Sequence, residues 1–117
     1  MSIRSSTLYK IRGKNTWEQI NKSKTFSSDF IWIKSFYDQS HANEPVKLGF
    51  AISKKYGNAV KRNRFKRRVR ETLRIFQKEN NSFNGWVFLV GVTKNFENEV
   101  SYNQIQNAFS AFVLRLK

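Results

Sequence analysis

Between residues 46 and 53 the chain alternates strictly, with Leu48, Phe50 and Ile52 on one side of an extended segment and Gly49, Ala51 and Ser53 on the other. A period of two predicts a strand with one bulky face and one nearly bare face. The bulky face suits a core. The bare face admits two readings: a helix packed close on the small residues, or another group approaching the backbone. Upstream, DFIWIKSFY (residues 29–37) also predicts a strand, because it is rich in aromatic and β-branched residues. Its alternation places Phe30, Trp32, Lys34 and Phe36 on one face and Ile31, Ile33, Ser35 and Tyr37 on the other. Before it, TWEQINKSK (residues 16–24), with Trp17 and Ile20 three apart, predicts a short helix. The polar run DQSHANEP, which ends at the single proline Pro45, predicts a loop.

From Ala59 to about Gln77 the period lengthens to that of a helix, with Phe65, Val69, Thr72 or Leu73, and Phe76 along one stripe. Gly57 and Asn58 break the preceding strand and cap this helix. NNSFNG closes the unit, and WVFLVGV follows as a nearly continuous apolar strand, central or covered on both faces. The last segment, SYNQIQNAFSAFVLRLK, predicts an amphipathic helix. Ser101 and Gln104 fit a capping box, and Tyr102, Ile105, Phe109, Phe112 and Leu116 form the buried face. The order is helix, two or more strands, helix, strand, helix. It predicts an α/β sandwich with helices packed on one mixed sheet. A chain of 117 residues holds one such domain, so residues 1–117 read as a single unit.

Charge changes this picture most at the middle helix. The stretch Ile52–Arg74 carries ten of the 22 Lys and Arg residues and one acid, Glu71, in a chain of net charge +14. Steps of 100° place Lys66, Arg67, Arg70 and Arg74 away from the apolar stripe, with Arg62 and Arg64 near the helix start. About six uncompensated like-charge pairs at this spacing cost roughly 1–3 kcal/mol in the free protein. A polyanion that neutralises the face recovers that energy, and phosphate suits the planar donors of arginine. A disordered basic arm is excluded by 39% hydrophobic and 15% aromatic residues. A membrane surface fits less well than nucleic acid, because the helix's apolar stripe is spaced for packing on a sheet and has no Trp.

Other chemistry adds little. There is no cysteine, and the single histidine, His41, stands in the polar loop without a second ligand nearby. No apolar run reaches membrane-spanning length and the N-terminus has no secretory pattern, so a soluble, intracellular protein is expected. The carboxylates are scattered singly, and there is neither a Ser-His-Asp set nor a phosphate-binding glycine loop. The residues alone thus describe a small nucleic-acid-binding α/β domain without catalytic machinery of its own.

The run KLGFAISKKYGNAVKRNRFKRRVRE resembles the signature of the protein subunit of bacterial ribonuclease P. In that family a glycine-containing strand ending in S-K-K leads through G-x-A-V into R-N-R and K-R-x-x-R-E. Here these elements are Gly49, Ser53, Lys54, Lys55, Gly57, Ala59, Val60, Arg62, Asn63, Arg64, Lys66, Arg67, Arg70 and Glu71. KTFSSDFIWI is similar to the family's segment before its apolar strand.

The resemblance implies a ribonucleoprotein that removes the 5' leader from precursor tRNA. It implies that the catalytic RNA performs Mg²⁺-dependent hydrolysis and binds most of the Mg²⁺, while the protein, in the cytoplasm, binds that RNA and the leader. The expected RNA-binding residues are Lys54, Lys55, Asn58, Lys61, Arg62, Asn63, Arg64, Lys66, Arg67 and Arg70. The expected leader cleft, between the sheet and the first helix, uses Trp17, Ile20, Trp32, Lys34 and Ser53. Both Trp17 and Trp32 also suit plain core packing. Trp17 and Ile20 stand where the family usually has two Phe, and Lys34 where it often has Tyr. The family fold has a left-handed crossover through the basic helix, against the usual preference. Two rival readings remain: a structural ribosomal protein with a related domain, and a protein-only nuclease, which the missing acid, base and metal ligands disfavour.

Overall fold

A computed structural model describes residues 8–80, 83–93 and 99–116. Five strands, β1 (Tyr9–Lys10), β2 (Thr25–Ser27), β3 (Ile31–Tyr37), β4 (Lys47–Ala51) and β5 (Trp86–Val92), form one sheet in the order β1-β4-β5-β3-β2. β4 runs parallel to β1 and β5, whereas β3 is antiparallel to β5 and β2, so the sheet is mixed as expected. The helices are α1 (Lys14–Asn21), α2 (Ala59–Asn80) and α3 (Tyr102–Leu116). α2 is the crossover between the adjacent parallel strands β4 and β5. β1 and β2 were not legible beforehand, because two or three residues are too few to display a period.

Alternation along the strands sorts side chains into two layers. On one face Ile31, Ile33, Leu48, Phe88 and Val90 are buried against Phe65, Val69 and Leu73 of α2 and Ile105, Phe109 and Phe112 of α3. Thr72 is buried beside Leu73, and its hydroxyl donates to Arg68 O at 2.8 Å, which satisfies it. The expected capping box of α3 forms: Gln104 N donates to Ser101 Oγ at 3.1 Å, and Ser101 N to Gln104 Oε1 at 2.8 Å. On the other face Val87 and Leu89 meet Ile11 and Ile20, with Trp32 and Phe36 partly buried around them. β5 is therefore covered on both sides, as its unbroken apolar run predicts.

One expected position differs. Phe30 packs with the α2 and α3 layer rather than beside Trp32 and Phe36. It lies in the tight turn between β2 and β3, where Ser28 N donates to Ile31 O at 2.9 Å, so the alternation starts only at Ile31.

The bare face of β4 is filled by protein at Gly49. A Cβ there would lie 2.6 Å from Ile11 Cδ1 and 3.3 Å from the Trp17 ring, so glycine is what lets both sit on the sheet. Gly91 plays the same part for Trp32, whose indole a Cβ would overlap. Ala51 stays exposed. β1 pairs with Lys47 and Leu48 only, which leaves Gly49–Ala51 without a strand partner on that side among the described residues.

α1 is too short to persist alone and has no side-chain N-cap. Its hold on the sheet comes from Ile20, fully buried, and from Lys34 Nζ, which donates to Asn21 O at 3.0 Å and satisfies a terminal carbonyl.

Gly91→Val is expected to push Trp32 off the sheet and to destabilise the fold by about 1–3 kcal/mol. Ala51→Val, on the same face but exposed, should stay within about 0.5 kcal/mol. Denaturant unfolding of both variants checks the contrast, and equal small effects would mean that Trp32 has room to move.

Candidate nucleic-acid interface

The start of α2 is built from local hydrogen bonds. Asn58 Oδ1 accepts from Lys61 N at 3.0 Å and caps the helix, while Ser53 Oγ accepts from Lys55 N at 3.1 Å in a 3-10 turn over Lys54–Tyr56. Ser53, Lys54, Lys55, Asn58, Asn63 and Arg67 are exposed, and Lys61, Arg62, Arg64, Lys66 and Arg70 are half-buried. Arg67 lies 3.9 Å from Glu71 at the surface, a pair of little energetic weight. Arg62 Nε is buried and has no partner among the described residues.

The cationic face expected as one band is divided in two by what receives it. Along one row, Lys66 and Arg70 lie over the Phe50 ring at 5.9 and 5.4 Å, and Arg74 follows one turn later. Both residues are half-buried, and each cation–ring contact at such a site is worth about 0.5–1 kcal/mol. This row forms one wall of a groove of ≈ 440 Å³ whose other walls include Tyr9, Lys10, Trp17, Gly49 and Phe50. Tyr9 and Trp17 are 47% and 38% exposed, so their rings remain available. No acidic residue lines the groove.

The second row turns toward the segment that leads into α3. Arg64 Nε donates to Glu99 Oε1 at 2.7 Å, Arg68 Nη1 to Val100 O at 3.0 Å, and Val100 N to Tyr56 Oη at 3.0 Å. The Arg64 hydrogen bond is the main reason that the Glu99 carboxyl titrates below the ordinary 4.5, with the charges of Arg64, Arg68 and Lys61 adding to it. Burial pushes the Tyr56 hydroxyl above 10.0, against the hydrogen bond from Val100.

Of the residues expected at the leader cleft, Trp17 alone lines the groove. Ile20 is fully buried and seats α1. Trp32 is partly buried against Gly91 and the second apolar layer, the core-packing alternative. The Lys34 ammonium is directed to α1. Ser53 shapes the turn before α2.

Tyr9, Lys10 and Glu99 were missed, Arg74 was placed on the cationic band but not among the expected RNA contacts, and Phe50 was placed in the core alone. Only pairing of β1 with β4 brings Tyr9 to Trp17, and Glu99 meets Arg64 across 35 positions, so no local spacing announces either. Among the described residues no three metal-capable side chains converge, and His41 Nδ1 lies 2.8 Å from Asp38 Oδ2 in its own loop. No helix among them is long and apolar enough to cross a membrane.

Residues 6–117 match the family described as Ribonuclease P. The chain is 32% identical over 81 residues to the ribonuclease P protein component of Finegoldia magna, covering 64% of this chain and 69% of that one. To that of Clostridium kluyveri it is 29% identical over 105 residues, 86% and 88% of the two chains. The fold is shared with the Staphylococcus aureus RNase P protein (TM-score 0.71, 24% identity, covering 93% and 95%). It is shared equally with that of Thermotoga maritima (TM-score 0.71, 20% identity, covering 92% and 97%).

The Glu99 pair should leave a trace in acid. A carboxyl whose folded value is lowered contributes stability that is fully present above its ordinary 4.5 and fades as pH falls through the folded value. The difference in melting temperature between the wild type and Glu99→Gln should therefore hold steady from neutral pH down to about 4.5 and shrink as pH falls from there through the folded value. Thermal melts over a pH series check this. A difference that does not change with pH would place the effect of the substitution outside the ion pair.

Proposed function

From the premise that this chain belongs to the ribonuclease P protein family, we propose that it docks on the family's RNA through α2 and guides the unpaired 5' leader of precursor tRNA along the groove beside β1. Membership makes the chain part of an endoribonuclease complex and a partner of ribonuclease P RNA. That match displaces the reading as a structural ribosomal protein. The observation that carries the proposal is the groove itself. It brings exposed aromatic rings at Tyr9 and Trp17 together with Lys10, Lys66, Arg70 and Arg74. A single strand asks for this combination, because bases stack on rings at about 1–3 kcal/mol each and phosphates follow the cations.

On α2 and the turn before it, Lys54, Lys55, Lys61, Arg62, Arg64 and Arg67 supply phosphate contacts, and the exposed amide of Asn63 supplies a hydrogen bond that charge alone cannot make. These groups bind and position, so in our reading hydrolysis belongs to the RNA. The donor set does not fit Mg²⁺ held by the protein, since the interface is cationic and, among the described residues, oxygen ligands for a hard cation are not gathered there. We therefore assign Mg²⁺ to the RNA partner. Protein cations reduce phosphate repulsion in the assembly and so lower the Mg²⁺ needed to hold it together.

Two experiments test this. In the first, the protein alone should cleave no precursor tRNA, and adding it to ribonuclease P RNA should lower the Mg²⁺ concentration for half-maximal cleavage. An unchanged Mg²⁺ midpoint across a protein titration would remove the electrostatic part of the proposal, and cleavage by the protein alone would remove the division of labour.

In the second, Trp17→Ala should weaken binding of precursor tRNA to the reconstituted enzyme by roughly tenfold while sparing mature tRNA, which has no leader to stack. Parallel melts show whether the variant stays folded. Equal losses for both ligands in a folded variant would take the leader out of this groove.

A further inference from the structure

We infer that Glu99 is a positioning residue for RNA recognition, which tethers Arg64 through Nε so that the terminal edge of the guanidinium is held ready for a phosphate. The inference rests on the reading that α2 docks on RNA. Its starting point is an acid in an unfavourable place. Glu99 faces the charges of Lys61, Arg64 and Arg68 at the start of the basic helix. A carboxylate there repels the phosphates the surface is built to bind. Removing it would strengthen plain electrostatic attraction, so its presence calls for another role.

Holding α3 in place is not enough to explain it. Arg68 already donates to Val100 O and Tyr56 already accepts from Val100 N, so the segment is fastened to α2 and to the turn before it without help from an acid. What Glu99 alone does is fix Arg64. The bond is short, 2.7 Å, as charge-assisted hydrogen bonds are. It engages Nε only. Of the five N–H donors of a guanidinium, the four on the terminal nitrogens have no partner among the described residues. The side chains are 37% and 27% exposed, so the tether is ordered by its surroundings while the Arg64 head still reaches solvent. A long side chain already held in one geometry loses less freedom on binding than a free one, and a planar fork so held selects phosphates at one position and angle. Glu99 thus trades nonspecific attraction for placement. The opposite reading makes it an internal stand-in for phosphate that RNA must displace, and the two differ in sign.

The test compares binding of ribonuclease P RNA with binding of polyuridine by the wild type, Glu99→Ala, Glu99→Gln, Arg64→Ala and the double variant Arg64→Ala/Glu99→Ala. Glu99→Ala should weaken binding of ribonuclease P RNA about three- to tenfold and tighten polyuridine, so the ratio of the two affinities falls. Glu99→Gln, whose amide oxygen still accepts from Nε, should recover part of the loss, and it carries the test if the alanine variant melts early. In the Arg64→Ala background, Glu99→Ala should no longer weaken binding.

Tighter or unchanged binding of ribonuclease P RNA by folded Glu99 variants, with the affinity ratio preserved, would overturn the inference. If Arg64→Ala weakens binding but the Glu99 variants do not, the docking reading stands and the positioning role falls. If Arg64→Ala itself has no effect, docking through this residue and its positioning fall together.

Discussion

Cations spaced three and four apart along α2 repel one another, and the helix forms because its opposite face buries Phe65, Val69 and Leu73 in the main core. Each such burial contributes about 1.5–3 kcal/mol, enough to offset a repulsion of about 1–3 kcal/mol. The neighbours of α2 then give five of these cations a defined place. Phe50 lies beneath Lys66 and Arg70, Tyr56 beneath Lys61, Glu99 receives Arg64, and the Val100 carbonyl receives Arg68. The positive surface is therefore a set of held groups, and those positions are what distinguish a recognition surface from a merely attractive one.

The same economy governs the opposite layer. α1 is a short helix with no side-chain N-cap, kept on the sheet by one fully buried residue, Ile20, and one ammonium, Lys34. The glycines at 49 and 91 let Ile11, Trp17 and Trp32 lie flat on the strands. Because β1 ends after Lys10, the exposed ring of Trp17 and the row Lys66, Arg70 and Arg74 come to share one groove around the margin of the sheet.

What could be read from the sequence follows from how far apart the interacting residues lie. The long elements announced themselves, since α2, β5 and α3 each present enough residues for a period to show. The strands of two and three residues did not, and with β1 hidden the groove that joins Tyr9 to the basic helix was hidden as well. Residue type predicted where charge would be but not what would hold it. Lys34 was expected at the leader cleft through the family resemblance, at a position where that family often has Tyr, and only the position of α1 shows its ammonium on a helix terminus. Trp32 could be stacking surface or packing until Gly91 was seen beneath it. Glu99, isolated in the sequence, gained a meaning only from Arg64 across the fold.

The margin of β4 at Gly49–Ala51, which has no strand partner among the described residues, has a further consequence. An unpaired strand edge is a template on which another polypeptide can add a strand, and folded proteins commonly obstruct such edges with charge. Here Lys66 and Arg70 lie over the Phe50 ring at the open stretch, and Arg74 follows on the same row. A second copy of this chain arriving at that edge would bring its own excess of positive charge against them, whereas a polyanion is drawn in. The same side chains that suit a polyanion thus oppose a second copy of the chain at this edge. Neutralising those cations to improve solubility or crystallisation would therefore remove a barrier to association along this edge.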